Sequence, residues 1–414
     1  MITSAYSVTA TERVLPKLAL DFTSATLDSR ITFSRPSATA TKVNASGVVE
    51  IVNADTPRFD YDPVTLACKG LFIEETRENK ITYSEDLSNG IYVTGNTSVG
   101  SVAFSSPRGN VSYKVTEDTA DSTHLIFSAF TFTAAVYTVS FYLKAAGRTK
   151  VQAYVRDFPN SDNVYAGANI DLTAGTASAL TGTATIINSG NGWYRVTING
   201  TMPAAVASIT FRLQNENGSL AYTGDGTSGM QIWGLQVELA SFATSYIPTS
   251  GAAATRNADV ATITGTNFSS FWRAGRGGVL VRALPSTVNG TRPLVQFDDA
   301  SANNIISLRG NTTNPELYIV NSATPQAQID AGTIAACAPY TLTGWWQTDF
   351  CAARLNTSAK VIDNSATIPT VTQARLGSDG TNYLNGHLAT INYYDKFSGQ
   401  IYTRRKNKAV FSVI

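Results

Sequence analysis

VYTVSFYLKA (residues 136–145) and TKVQAYVRD (residues 149–157) lie on either side of a short glycine turn, AAGR, and decide how the chain is read. In both runs β-branched and aromatic residues alternate with polar ones. That period of two marks a half-buried strand and not a helix, whose apolar positions recur every three or four residues. The same alternation returns in GWYRVTINGTM (192–202), SITFRLQ (208–214) and MQIWGLQVEL (230–239), joined by turn signals such as NSGNG and TGDGTSG. Strands at regular spacing with no helical pattern between them predict an all-β fold of antiparallel sandwich or jelly-roll type.

Beyond Leu239 the pattern lapses. The small-residue run SGAAATRNAD (250–259) reads as a linker, and alternation resumes in GGVLVRALP, RPLVQFDD, NNIISLRG, ELYIVNS and later segments. The expected organisation is therefore an arm or docking segment over residues 1–82, a first sandwich over 83–248, a linker over 249–259 and a second sandwich over 260–414. The arm is set apart by its short strands, KLALDF, RITFSRPS and VVEIVN, and by the dense turn PRFDYDPVTLACKG. A chain of 414 residues is too long for one core, which agrees with two sandwiches.

Composition narrows the function classes. Charged residues make up 15% of the chain against 43% hydrophobic, and 31 Lys plus Arg against 30 Asp plus Glu leave a net charge of +1. So balanced a chain has no overall field for nucleic acid, and the basic run Arg404 to Lys408 reads as a solvated tail. No window approaches the roughly 20 apolar residues of a membrane span, and the first residues lack a signal-peptide pattern, so the expectation is neither export nor anchoring by the chain's own signals. Cys68, Cys337 and Cys351 have no metal-ligand spacing and read as buried thiols rather than a disulfide framework, although Cys337 and Cys351 are able to pair if two strands bring them together.

Catalytic chemistry has little to work with. The chain holds two histidines, His124 and His387, neither in a recognisable motif, and it lacks nucleophile-elbow, zinc-helix, phosphate-loop and dinucleotide signatures. Paired carboxylates are the one enzymatic option left open, with Asp157, Asp162, Asp225, Glu238, Asp298 and Asp299 as candidates for glycoside hydrolysis. Most of these aspartates sit in turn contexts, where the side chain bonds its own backbone. No cofactor and no metal are expected. The loop TGDGTSG (223–229) has a superficial calcium look, but one carboxylate among glycines falls short of six to eight oxygen ligands, so structural calcium stays a minor option.

Binding is better served. A sugar offers hydroxyls to polar groups and a C–H face to aromatic rings. In YVRDFPNSDNVYAG the candidates are Tyr154, Arg156, Asp157, Asn160 and Asp162, with Asn163 and Tyr165 beside them. In the second sandwich they are Trp345 and Trp346 of GWWQTD and Asp379, Asn382 and Tyr383 of GSDGTNYLNG. Adjacent tryptophans on a strand point to opposite faces, so one is expected in the core and the other open. Trp193 and Trp233, set in strong apolar alternation, are expected in the core.

These residues also carry a resemblance. The block from LDFTSATLDSRITFSRPS to KITYSEDLSN resembles an N-terminal block of phage tail-fibre and head-spike structural proteins. SFYLKAAGRTKVQAYVRD, GNGWYRVTINGT and YTGDGTSGMQIWGLQVELASFATSYIPTSG resemble the carbohydrate-binding-module-like jelly roll that follows it. ARLGSDGTNYLNGHLATINYYDKFSGQIYTRRK is similar to the closing strands of a concanavalin A-like, laminin-G-type sandwich. The resemblance implies a virion surface protein made in the host bacterial cytoplasm, oligomeric and often trimeric, docked to other virion proteins through its arm, binding host-surface polysaccharide and carrying no catalytic residues. The second sandwich departs from legume-type lectins in lacking their calcium-binding acidic cluster. Two other readings remain: a purely structural virion component, and a capsule depolymerase, against which stands the absence of a short β-helix repeat.

Overall fold

The computed structural model describes residues 15–159 and 163–396. They form an all-β protein of antiparallel sheets. Two compact units are present: residues 33–259, and residues 15–32 together with 260–396. Arg404 to Lys408 lie outside the described residues.

The 33–259 unit is a jelly-roll sandwich of two six-stranded sheets. The first sheet runs in the order Thr183–Asn188, Trp193–Met202, Ala135–Ala146, Gly229–Glu238, Ser112–Glu117, Thr97–Val102. The second runs Thr176–Thr181, Val164–Asp171, Lys150–Asp157, Val206–Gln214, Leu125–Thr131, Tyr92–Gly95. Alternation supplies the core between them: Val139, Phe141 and Leu143 from one sheet meet Val151, Val155 and Phe211 from the other. Phe141 and Phe211 meet edge to face at 4.7 Å.

The strict period breaks once in a way that needs glycine. Met230 and Ile232 face the core, and so do Leu235 and Val237, an offset that requires one extra residue between the pairs. Gly234 is that residue, at φ +65°, and the register against Ala135–Ala146 shifts between Ser140 and Tyr142. A Cβ at Gly234 would lie 3.0 Å from the Tyr142 ring.

Residues 33–82, expected as part of an extended arm, are instead built into this unit. A second apolar cluster, Val49, Tyr142, Trp193, Trp233 and Tyr246, forms on the side of the first sheet away from the main core, with Val43 packed against it. Trp193 and Trp233 are therefore core residues, at 1% and 0% exposure. Beside the cluster lies a buried ionic network. Arg58 donates to Glu74 at 2.8 Å and also to Asp259, Arg256 donates to Glu74 at 2.8 Å, and Arg35 donates to Asp259 at 2.9 Å. The Ser245 N–H and hydroxyl also donate to Glu74, at 2.7 and 2.6 Å. The residues read as a linker belong to this network. Ala254–Arg256 pairs with Arg77–Asn79, and Arg256 and Asp259 are both fully buried. Their partners lie 182 to 224 residues away in sequence, which is why the local run SGAAATRNAD looks solvated.

The strands of the other unit fall in two sheets. One is ordered Val361–Asp363, Phe350–Leu355, Tyr340–Gln347, Arg276–Pro285, Gly386–Tyr394, with Leu18–Asp21 also paired to Gly386–Tyr394. The second is ordered Val260–Ile263, Gln373–Leu376, Thr291–Asp298, Ile305–Asn311, Asn314–Asn321, Thr324–Asp330. Gly344 lets them close up, since a Cβ there would meet Leu308 at 2.8 Å. Phe271, Trp272, Phe297, Trp346 and Tyr393 make an aromatic cluster, with Trp272 stacked on Tyr393 at 5.1 Å. No disulfide joins the cysteines: Cys351 is buried, which pushes its thiol up to about 12, whereas Cys337, expected to be buried, is exposed.

Candidate functional site

The second sheet of the jelly roll presents a polar face opposite its apolar one. Val151, Ala153 and Val155 point into the core, so Gln152, Tyr154 and Arg156 point away from it. Register extends that face across neighbouring strands. Asn169, Gln152, Arg212 and Leu125 form one cross-strand row, and Gly167, Tyr154, Thr210, Phe127 and Val93 form the next. Arg156 and Ser208 begin a third. Gly167 is small for a reason, because a Cβ there would lie 2.6 Å from that of Tyr154.

Within this face the amides are linked and one guanidinium is not. Gln152 Nε2 donates to Asn169 Oδ1 at 3.0 Å, and Gln214 Nε2 donates to the Gly218 carbonyl at 3.1 Å. Arg212 is half-buried and its side chain has no hydrogen-bond or ion-pair partner among the described residues; its Nε is buried. Phe158 is 38% exposed and lies against half-buried Phe127, with ring centroids 5.3 Å apart. The arrangement offers an apolar ring pair next to donors and acceptors, the two kinds of contact a sugar uses.

The sequence candidates fall unevenly on this surface. Tyr154 and Arg156 share it, and the Arg156 guanidinium lies 5.8 Å from the Tyr154 ring centroid. Tyr154, however, is only 3% exposed and its hydroxyl is buried with no hydrogen-bond partner among the described residues, so it forms the floor of the face and not an open platform. Asp157 closes its own loop, accepting from the Tyr165 hydroxyl and, at 3.4 Å, from Asn163 Nδ2. That bond raises the Tyr165 hydroxyl above its ordinary range. Asn160 and Asp162 lie outside the described residues. Arg212, Phe127, Phe158 and Asn169 were not singled out by sequence; the signal was the alternation in SITFRLQ, but only the pairing register shows which strands share a face.

In the other unit the expected site does not assemble. Trp346 is 1% exposed within the aromatic cluster, and Trp345, expected to be open if its neighbour was core, is 5% exposed with the Lys360 ammonium 5.7 Å from its ring. Asp379 is spent on its own turn, accepting from the Thr381 and Asn382 N–H groups at 2.8 and 2.7 Å and from Asn382 Nδ2 at 2.9 Å. Tyr383 is half-buried.

The remaining carboxylates are similarly engaged. Asp225 accepts from Thr227 and Ser228 within TGDGTSG, and the Ser228 bonds hold its carboxyl below the ordinary range. Asp299 accepts from Ser301 and Asn304. Glu238 accepts from Thr244 and Gln236, and Asp298 from Arg375 and Gln296. Near the calcium-like loop, Glu117 is paired with Arg148 and also accepts from the Asp225 N–H at 2.9 Å. Among the described residues no cluster of three or more Asp, Glu, His or Cys side chains is placed to hold a metal ion. His124 and His387 are both buried, and the His124 ring nitrogens face the carbonyl oxygens of Asn96 and Tyr222 at 2.8 and 3.1 Å.

No protein-family model matches this chain, and no curated protein matches its sequence. Among solved structures it is similar to chicken galectin 2, at 6% identity over 30% of this chain and 92% of the galectin, with a TM-score of 0.22. It is also similar to the LG4-5 domains of the mouse laminin α1 chain, at 12% identity over 66% and 85% of the two chains, with a TM-score of 0.21. The LG1-3 region of the laminin α2 chain aligns at 8% identity over 65% and 60%, with a TM-score of 0.19. Likenesses this faint leave the functional argument with the residues themselves.

Proposed function

We propose that the chain is a non-catalytic glycan-binding protein, and that the outward face of the second jelly-roll sheet is the surface that binds. The observation that carries this reading is Arg212, a half-buried guanidinium with no partner among the described residues, on the same sheet face as a ring pair, half-buried Phe127 and exposed Phe158. A cation held part-way out of water without a partner costs stability, and a hydroxyl-rich ligand offers it acceptors. The rings supply a stacking surface, while Gln152 and Asn169 are placed to sort hydroxyl positions. Binding rather than hydrolysis is favoured because each described candidate carboxylate is engaged by neighbouring donors, whereas a glycosidase needs two that face one bond.

The setting on a bacteriophage particle, in a fibre, spike or decoration protein facing host polysaccharide, rests on the sequence resemblance. A second reading, a structural component joined to other copies or to other virion proteins, is favoured by one feature. Residues 173–192 contain no charged side chain, yet they form two strands at sheet edges, Thr176–Thr181 and Thr183–Asn188, with Leu180 and Ile187 exposed at 43% and 56%. Natural sheet edges usually carry charge or proline to prevent pairing.

The test is to incubate the purified protein with intact host cells and extracted surface polysaccharide while assaying release of reducing ends. Binding without release is expected. Release would move the chain to the depolymerases, and no binding would favour the structural reading.

A further inference from the structure

In the unit formed by residues 15–32 and 260–396, Arg273 and Arg276 line one depression, and the nearby Asp395, which acts with both on the Tyr393 hydroxyl, is not among its lining residues. The chain leaves the short helix Gly265–Ser269 and passes through Trp272, which is stacked on Phe268 and Tyr393. The next N–H, that of Arg273, donates to the Tyr393 hydroxyl at 3.0 Å, so the start of the turn is pinned. Gly275, at φ +77°, turns the backbone, and Arg276 opens the strand Arg276–Pro285 opposite Gln347. A Cβ on Gly277 would meet Trp346 and Tyr393, so position 277 faces the core and Arg276 faces away from it.

Arg273, Ala274, Gly275, Arg276, Gln347 and Thr348 line an open depression of about 380 Å³. Among the described residues no carboxylate lines it. Neither guanidinium has an ion pair or a side-chain hydrogen bond among the described residues, and Arg276 Nε is buried without a partner. Asp395 pairs with Lys17, at 3.9 Å. Two like charges three residues apart on a fixed turn repel one another, and one anion between them would relieve both. The planar guanidinium fork suits an oxyanion with two accessible oxygens, and an amide and a hydroxyl alongside suit a polar, hydroxylated carrier.

We infer that this depression binds the oxyanion of an acidic sugar, either a uronate carboxylate or a sulfate ester. The site is separate from the jelly-roll face, and its test does not depend on that face. Calorimetric titration of the full chain at low ionic strength would use sodium glucuronate, glucose 6-sulfate and neutral glucose, with thermal unfolding checked for every variant. At least one acidic sugar should bind more tightly than glucose by about tenfold or more, with the preferred one identifying the oxyanion. Arg276→Gln should weaken that binding by about tenfold, and Arg273→Gln by a smaller factor in the same direction. Arg282→Gln, an exposed cation outside the depression, should leave it unchanged. If Arg276→Gln fails to fold, Arg276→Lys carries the test, because it keeps the charge and loses the fork. Equal affinity for glucose and both acidic sugars would overturn the inference, as would equal loss in the 276 and 282 variants.

Discussion

The two sheets of the jelly roll start from the same kind of strand and finish with opposite outer faces. On the first sheet, residues 33–82 and 245–259 contribute to the outer side, with Tyr142, Trp193, Trp233 and Tyr246 packed there and three arginines buried beside two acids. On the second sheet the outer side keeps Gln152, Arg156, Asn169 and Arg212 at least partly in solvent. A period of two predicts that each strand has two faces. Which face is then covered depends on segments far away in sequence, so a covered face is spent on stability and an uncovered one is available for binding.

The largest expected effect lies on the covered face. Glu74→Gln leaves Arg58 and Arg256 without their shared acid and should cost about 3–5 kcal/mol in urea unfolding of the chain. A loss under about 1 kcal/mol would mean that the network is not a structural clamp. The same group makes the unit acid-sensitive. Burial alone would raise the Glu74 carboxyl, but Arg256 and Arg58 outweigh it and hold the group at about 2, below the ordinary 4.5. A carboxyl with a depressed pKa contributes stability that is present above the ordinary value and lost as pH falls through the depressed one. Stability should therefore decline between pH 4.5 and about 2, and Glu74→Gln should flatten that decline; an unchanged slope in the variant would assign the acid sensitivity elsewhere.

Gly234→Ala tests the bulge that puts Trp233 on one face and Leu235 on the other. Positive φ and the close Tyr142 ring should cost about 1–2 kcal/mol, read from the shift in unfolding midpoint. On the uncovered face, Arg212→Ala and Phe158→Ala should change stability by no more than about 0.5 kcal/mol, since neither removes a side-chain hydrogen bond among the described residues or a fully buried ring. A larger loss would place these residues with the packed side of the comparison.

Much of this was legible in sequence, and what was not follows from the same asymmetry. The alternation in VYTVSFYLKA and MQIWGLQVEL identifies strands, and Trp193 and Trp233 read as core because their neighbours are apolar. Arg256 and Asp259 did not read as buried, because a charge looks solvated until its partner is found, and theirs are Glu74, Arg35 and Arg58. One of Trp345 and Trp346 was expected to be open by alternation, yet both sides of that strand are covered. Tyr154 and Arg156, read from one strand alone, lie on the face proposed to bind. Arg212 and Phe127 needed the register that sets them beside it.

The most direct test of the glycan-binding face is affinity for extracted host-surface polysaccharide, measured for the unmodified chain and for the Arg212→Ala, Phe158→Ala double variant with melting temperatures in parallel. The expected result is at least about a tenfold loss of affinity with unchanged melting, since several polar and stacking contacts are removed together. Unchanged affinity in a folded double variant would contradict the assignment of that face.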